Sequence, residues 1–177
     1  MTASRFVLAA TFAFAATPSL AMGLKSADLA QGASFPMNEI CSRYSGGNVS
    51  PALTWSGVPA SAKSMAVTMF DPDAHGGWWH WLVLDLPPST TTLAQGAGAK
   101  HATMAGGGRQ HGNSNGNENY DGPCPPAGSG VHHYEITVWA LDVDKTDVDV
   151  NAEPPDVGAY LAKHAVDKAV LTPVYQK

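Results

Sequence analysis

The chain has 177 residues, of which 44% are hydrophobic and 8% aromatic, and its formal net charge is −5. This length and composition suit one globular domain with a real core, and they exclude a disordered or fibrous protein. The ten lysines and arginines are scattered. Without a basic stripe, a nucleic-acid-binding role has no electrostatic support.

The first 21 residues have the order of a secretory signal peptide. Arg5 precedes an apolar run from Phe6 to Ala16, Pro18 follows, and Ser19-Leu20-Ala21 is a small-x-small cleavage site. The run has eleven residues, whereas a membrane-spanning helix needs roughly 20. We therefore favour a cleaved signal over a membrane anchor or a buried first helix. The expected product is a periplasmic or secreted domain of residues 22–177 that does not span the membrane.

Cys41 and Cys124 are the two cysteines of the chain. In an exported protein an isolated pair is most simply explained as one disulfide bond. Closing a loop of ~80 residues would contribute on the order of 4 kcal/mol. Two free thiols or metal ligands are the alternatives, but neither cysteine has the close-spaced partners of a zinc site.

Three segments have strand patterns, and each places one set of side chains on a single face. They are residues 64–70, 79–86 and 132–141, and residues 52–55 and 20–29 are weaker candidates. The predicted faces are Met65, Val67 and Met69; His80, Leu82, Leu84 and Leu86; and His132, Tyr134, Ile136, Val138 and Ala140.

One helix is predicted near the C-terminus. After Pro154 and Pro155, Asp156 can cap the segment 157–171, in which apolar residues recur at helical spacing. Thr172-Pro173 would end it. The predicted fold class is therefore mainly β, a β-sandwich with a C-terminal helix.

Residues 87–126 are rich in Gly, Asn, Ser, Thr and Pro and have almost no apolar periodicity. A loop this long is uncommon in a compact domain and is often functional. Its glycine-rich part lacks the order G-x-x-x-x-G-K-[ST], and no helix pattern follows, so it is not a phosphate-binding P-loop.

Polar side chains begin two of the predicted strand faces. His80 opens one face, and His132 and Tyr134 open another, so the two polar ends could share one cavity mouth. Asp71, at the end of the first strand, could fix a histidine tautomer or raise a histidine pKa. Two imidazoles and a phenol would form a donor-rich pocket suited to an anion such as a phosphate ester.

The chain resembles the phosphatidylethanolamine-binding protein (PEBP) family, in its bacterial Raf-kinase-inhibitor-like YbhB/YbcL branch. The motifs that carry the resemblance run in the family's order from about residue 41 onward. They are "GGNVSPALTWSGVP", "SMAVTMFDPDA", "GWWHWLVLDLP", "YDGPCPPAGSGVHHYEITVWALDV" and "LTPVY".

The resemblance implies a β-sandwich with a large antiparallel sheet, a smaller sheet and C-terminal helical structure. It also implies a small pocket that accepts an anion, and branch members carry cysteines at the positions of Cys41 and Cys124. By motif position, the pocket residues are Asp71, Asp73, His80, His132 and Tyr134, with the turn Gly122–Pro126, including Pro125, as backbone and wall.

His75 departs from the family pattern. The turn usually reads DPDAP, and here it reads DPDAH. A cis peptide bond at this position would be lost, because cis costs a non-proline residue ~3 kcal/mol. His75 instead adds a third titratable group near the predicted mouth.

The favoured function is an exported module that binds a small anionic ligand, with no cofactor, and modulates or inhibits a partner protein; a homodimer is left open. A hydrolase is the alternative, with Asp71 beside His80 or His132 as base and Ser129 nearby. Ser129 lacks the G-x-S-x-G elbow, so the prediction is that the protein is not an enzyme. A metal site on His80, His132 and Asp71 is a further alternative, and no metal is predicted.

Overall fold

The computed structural model describes residues 21–177, so residues 1–20 of the predicted signal peptide lie outside it. The main sheet is formed by β3 (Ser64–Asp71), β4 (Trp78–Leu86), β6 (Arg109–Gln110), β8 (Glu135–Leu141) and β9 (Ala165–Leu171). These five strands are antiparallel and lie in the order β6-β4-β3-β8-β9.

A smaller antiparallel sheet has the order β1-β2-β5, formed by β1 (Gly23–Ser26), β2 (Leu53–Ser56) and β5 (Thr92–Leu93). A two-stranded ribbon pairs β7 (His132–His133) with β10 (Val174–Tyr175). The helix α1 spans Pro154–His164, and short 3-10 turns lie at Ser42–Tyr44 and Ala105–Gly107. The prediction of a mainly β sandwich with two sheets is confirmed.

The central strands of the main sheet, β4, β3 and β8, are buried on both faces. One face packs with the small sheet around Trp55, Met65, Val83 and Ile136. The other packs against α1, where Leu82 and Trp139 meet Val157 and Leu161. Side chains of β3 pack on both of these faces, so nearly every residue of the strand is buried. The strand predicted from one apolar face therefore lies in the centre of three layers.

The face predicted for β4 is partly wrong. Its pairing with β3 has two register shifts, and a shift of one residue moves side chains to the opposite face. Leu82 and Leu84 consequently pack against the helix, while Leu86 belongs to the core between the sheets. The second irregularity, near His80, lets that ring approach Tyr134 instead of the helix layer.

The predicted helix is correct only in its first half. Glu153, rather than Asp156, is the N-cap residue, and α1 ends at His164. Residues 165–171 form β9, which pairs with β8 and alternates between exposed Val166 and Val170 and buried Ala169 and Leu171. The free edge of β8 thus stabilises an extended conformation over residues whose local spacing also suits a helix.

The third predicted strand, 132–141, is interrupted at Tyr134. Glu135–Leu141 joins the main sheet, whereas His132 and His133 pair with β10 near the C-terminus. Tyr134, Ile136, Val138 and Ala140 share the core between the sheets, as predicted. Both weaker strand candidates are also confirmed, as β2 and β1.

Candidate functional site

A cavity of about 850 Å³ lies where the ends of β3, β4 and β7 meet the turn that contains Gly122. Its walls come from segments that are far apart in sequence, including the turn after β3 and the segment around Cys41. The structure brings together at this cavity every ligand-contacting residue predicted from the sequence: Asp71, Asp73, His75, His80, Gly122, Pro125, His132 and Tyr134.

Asp71 ends β3 and organises the turn that follows. One carboxylate oxygen, Oδ1, accepts the backbone N–H groups of Asp73 and Ala74 at 2.9 and 3.1 Å. The other, Oδ2, lies 2.7 Å from Nδ1 of His132, and both side chains are buried. A carboxylate can only accept, so Nδ1 carries a hydrogen. The histidine whose tautomer Asp71 fixes is therefore His132.

His132 has a partner on each ring nitrogen. Beyond the bond to Asp71, its Nε2 lies 2.9 Å from the hydroxyl oxygen of Ser129. The sequence led us to expect two imidazoles with free donors in the cavity. In this structure both ring nitrogens of His132 are bonded to protein groups, Asp71 on one side and Ser129 on the other. The ring therefore has no free donor for an anion.

His80 is 5% exposed, and its Nδ1 lies 2.8 Å from the backbone oxygen of Asp121. The carbonyl can only accept, so Nδ1 carries the hydrogen, and a neutral ring then presents Nε2 as an acceptor. Burial lowers the pKa of His80, although the Asp121 carbonyl and the charge of Asp71 oppose this effect. His80 is consequently a neutral group near pH 7.

Tyr134 is completely buried, and its hydroxyl has no hydrogen-bond partner among the described residues. Its ring is held edge-on by Phe35 and by His80, at centroid distances of 5.3 and 5.2 Å. Burial, with a smaller contribution from the charge of Asp71, raises the pKa of Tyr134 well above its ordinary value. The residue therefore supplies the cavity with a neutral hydroxyl donor that lacks an acceptor.

Asp121 is a residue that the sequence reasoning missed. Its carboxylate accepts the side-chain amides of Asn113, Asn115, Asn117 and Asn119 at 2.7 to 3.1 Å. These four asparagines occupy every second position of residues 113–119 in the long loop, and that regular spacing was the available signal. The cluster fixes the backbone whose carbonyl anchors the ring of His80, and Asn115 and Asn117 also line the cavity.

The predicted disulfide is present between Cys41 and Cys124, whose Cα atoms are 5.4 Å apart. It joins the Ser42–Tyr44 turn to the proline-rich wall of the cavity. The Tyr44 hydroxyl donates to the backbone oxygen of Pro125 at 2.7 Å, and Gly122 N–H donates to Asn48 Oδ1 at 2.8 Å. Three separate contacts therefore hold this wall in place.

His75 and Asp73 lie at the cavity mouth, and both are exposed. Asp73 accepts the backbone N–H and ring Nδ1 of His133, each at 2.8 Å. The backbone hydrogen bond from His133 is the main cause of a lowered pKa of Asp73. Asp73 thus ties the turn after β3 to β7, while His75 projects a titratable ring at the rim in place of the family's proline.

Glu39 lies behind the cavity wall and is fully buried, with the side chains of Asp28 and Gln95 next to its carboxyl group. Burial, aided by the charge of Asp28, raises the pKa of Glu39 from 4.5 to about 7. The folded protein therefore keeps this proton to higher pH than the unfolded chain does. Between pH 4.5 and 7 the free energy of unfolding should fall as the pH rises.

We expect Glu39→Gln, which is neutral at every pH, to remove this component of the pH dependence. Between pH 5 and pH 8 the free energy of unfolding of the unmodified protein should fall by roughly 2 kcal/mol relative to that of the variant. Urea unfolding at both values measures this, with the exposed Glu135→Gln as the control. An equal effect of both substitutions, or none from Glu39→Gln, would contradict the assignment.

Two further observations bear on the alternatives. Among residues 21–177, no group of three or more His, Cys, Asp or Glu side chains is arranged to hold a metal ion. Within the same range no helix has the length and apolar character required to cross a bilayer. The facial-triad arrangement considered for His80, His132 and Asp71 thus has no geometric support in the described chain.

Comparison with known proteins gives consistent matches. The sequence model of the phosphatidylethanolamine-binding protein family matches residues 25–176. The UPF0098 protein YbcL of Escherichia coli K12 is 46% identical over 134 residues, 74% of this chain and 73% of YbcL. YbhB of the same strain, also a UPF0098 protein, is 40% identical over 158 residues, 87% of this chain and 99% of YbhB.

The putative lipoprotein LppC of Mycobacterium tuberculosis is 42% identical over 142 residues, 78% of this chain and 66% of LppC. Among solved structures, the crystal structure of E. coli YbcL, described as a new member of the mammalian PEBP family, has a TM-score of 0.85. That match has 39% sequence identity and covers 89% of this chain and 99% of the YbcL chain.

Proposed function

Because the chain belongs to the phosphatidylethanolamine-binding protein family, together with YbcL and YbhB, we propose that its cavity binds the phosphate group of a small molecule or head group. The observation that carries this proposal is the Tyr134 hydroxyl, which is buried, neutral and without an acceptor. Leaving such a donor unpaired costs about 1–3 kcal/mol, and an anionic oxygen in the cavity would remove that penalty.

The neighbouring groups favour a singly charged phosphate. Neutral His80 presents an acceptor nitrogen, which suits the P–OH of a monoanion, while Tyr134 donates to a phosphoryl oxygen. Asp71 is a nearby negative charge that disfavours a dianion. Toward the mouth, His75 and the exposed Arg43 add cationic or titratable groups around the rest of the ligand.

We expect Tyr134→Phe to weaken binding at least tenfold, because it removes one hydrogen bond to a charged group, worth about 1.5–3 kcal/mol. Isothermal titration calorimetry with inorganic phosphate and with phosphoethanolamine at pH 6 measures the change, since both forms of a phosphate monoester are populated near that pH. Loss with both ligands identifies the phosphate as the recognised group. Loss with phosphoethanolamine alone identifies a head group.

Tyr120→Phe is the matched control. Tyr120 is equally buried, but its hydroxyl donates to the backbone oxygen of Glu39 at 2.9 Å and it is not a wall residue of the cavity. This variant should lose stability and keep phosphate affinity. Unchanged binding by Tyr134→Phe, or no binding by the unmodified protein, would refute the proposed function.

The proposal places the mature protein outside the cytoplasm, as a modulator or inhibitor of a partner protein. Three features support export: the signal-like order of residues 1–21, the Cys41–Cys124 disulfide and the similarity to the putative lipoprotein LppC. Because the cavity opens between loops, a bound ligand would change the charge and shape that those loops present to a partner.

A further inference from the structure

We propose that Ser129, His132 and Asp71 form a Ser-His-Asp relay that makes Ser129 a nucleophile toward small carboxylic esters. The inference goes beyond anion binding and does not depend on it. It rests on two contacts: His132 Nδ1 lies 2.7 Å from Asp71 Oδ2, and His132 Nε2 lies 2.9 Å from Ser129 Oγ. Nucleophile, base and orienting carboxylate are thus each within hydrogen-bond reach of the next.

The three groups are buried to different degrees, as their proposed roles require. Asp71 and His132 are buried, and two backbone N–H groups hold the carboxylate of Asp71 in a single orientation. Ser129 is exposed on the rim of the cavity, where a bound ester can reach its hydroxyl. A fixed base with an accessible nucleophile is the arrangement that acyl transfer requires.

The hydroxyl hydrogen of Ser129 has two acceptors within reach. The backbone oxygen of Pro126 lies 2.8 Å from Oγ, and His132 Nε2 lies 2.9 Å away. When His132 is neutral, Nδ1 carries its hydrogen toward Asp71 and Nε2 accepts from the serine. When the ring carries both hydrogens, Nε2 donates to Oγ and the hydroxyl turns to Pro126. Reaction starts from the neutral ring.

In the forward step, Ser129 Oγ forms a bond to the acyl carbon while its proton passes to His132 Nε2. The ester C–O bond then breaks, and the departing alcohol takes that proton. Water attacks the acyl-serine, transfers a proton through Nε2 to Oγ and releases the carboxylic acid. No redox partner or metal is required. Asp71 acts as a positioning residue, because it orients and stabilises the ring without contacting the ester.

In this proposal the backbone N–H of the residue after Ser129 would serve as the donor for the developing oxyanion. The backbone N–H of Gly130 donates to no acceptor among the described residues, and it belongs to the residue directly after the nucleophile. Gly130 has a φ of +93°, a conformation that glycine adopts without strain. The apolar wall formed by Trp78, Pro125 and Pro126 suits a small acyl group rather than a long charged one.

The test treats the full mature chain with a fluorophosphonate probe and, separately, with 4-nitrophenyl acetate. We expect one label per chain, mapped to Ser129 by peptide mass spectrometry, and a burst of about one 4-nitrophenolate per chain. Ser129→Ala should abolish both signals. His132→Gln should slow labelling at least 100-fold, the scale of general-base catalysis.

Ser42→Ala is the matched control, because Ser42 is an exposed serine on the same cavity with no histidine bonded to it among the described residues. It should keep full labelling, and thermal melting should show Ser129→Ala to be folded. Three results would overturn the proposal: no label or burst in the unmodified protein, an unchanged signal in Ser129→Ala, or loss in Ser42→Ala. In each case Ser129 only closes the turn through Pro126.

Discussion

Replacing both Cys41 and Cys124 with alanine is expected to lower the free energy of unfolding by about 4 kcal/mol. The two residues are 83 positions apart, so their bond closes a long loop and lowers the conformational entropy of the unfolded chain. A domain's total stability is typically about 5–15 kcal/mol, so this loss would leave a marginal protein. Urea unfolding monitored by tryptophan fluorescence measures it.

Reduction of the unmodified protein should reproduce the destabilisation, and the same reductant should have no effect on the double variant. Phosphate affinity should also fall, because the bond holds the Ser42–Tyr44 turn against the wall that contains Pro125. A loss below about 1 kcal/mol would mean that the unfolded chain is already compact around this pair, contrary to the loop-entropy argument.

Three strands of the main sheet, β3, β4 and β8, were predictable because each is largely apolar over seven or more positions. The faces of β3 and β8 were predicted as well, whereas that of β4 was not, because its pairing with β3 shifts register twice. Each shift depends on how two strands meet, and neither leaves a mark such as a glycine or proline within β4. Leu86 and His80 consequently point to sides that strict alternation does not predict.

The segment 165–171 shows a second limit. Its alanines, lysine and aspartate fit a helix as well as a strand, and the preceding residues do form a helix. The choice is made by β8, whose outer edge supplies backbone partners along the whole segment. Local propensity is therefore overridden by a contact with a strand about thirty positions earlier, which no local pattern contains.

The sequence predicted which residues line the cavity, but not which of them are hydrogen-bonded to one another. Family motifs and strand ends indicated Asp71, His80, His132 and Tyr134, and all four line the cavity. Which groups pair could not be deduced, since the bonds of His132 to both Asp71 and Ser129 depend on the path of two turns. Asp121 anchors His80 through its backbone oxygen, a role that the side-chain type does not indicate, whereas the alternating asparagines bound by its carboxylate were visible in the sequence.

Gly122→Ala is expected to destabilise the protein by about 3 kcal/mol, a cost at the upper end of that for overpacking. An added Cβ would approach the backbone oxygen of Glu39 more closely than any real contact, and it would lie 2.8 Å from the backbone carbon of Ile40. These atoms belong to main chain next to the disulfide, so they cannot rotate away. Chemical denaturation measures the loss.

The same substitution should weaken phosphate binding in protein that remains folded. Asp121, whose carbonyl anchors His80, directly precedes Gly122, so displacement of the glycine moves the ring. Gly112→Ala is the control: its nearest atoms lie 3.9 Å away, it needs no positive φ, and it belongs to the same long loop. That variant should stay within about 0.5 kcal/mol of the unmodified protein. If both substitutions lower the free energy of unfolding by the same amount, the close approach at Gly122 does not position this wall of the cavity.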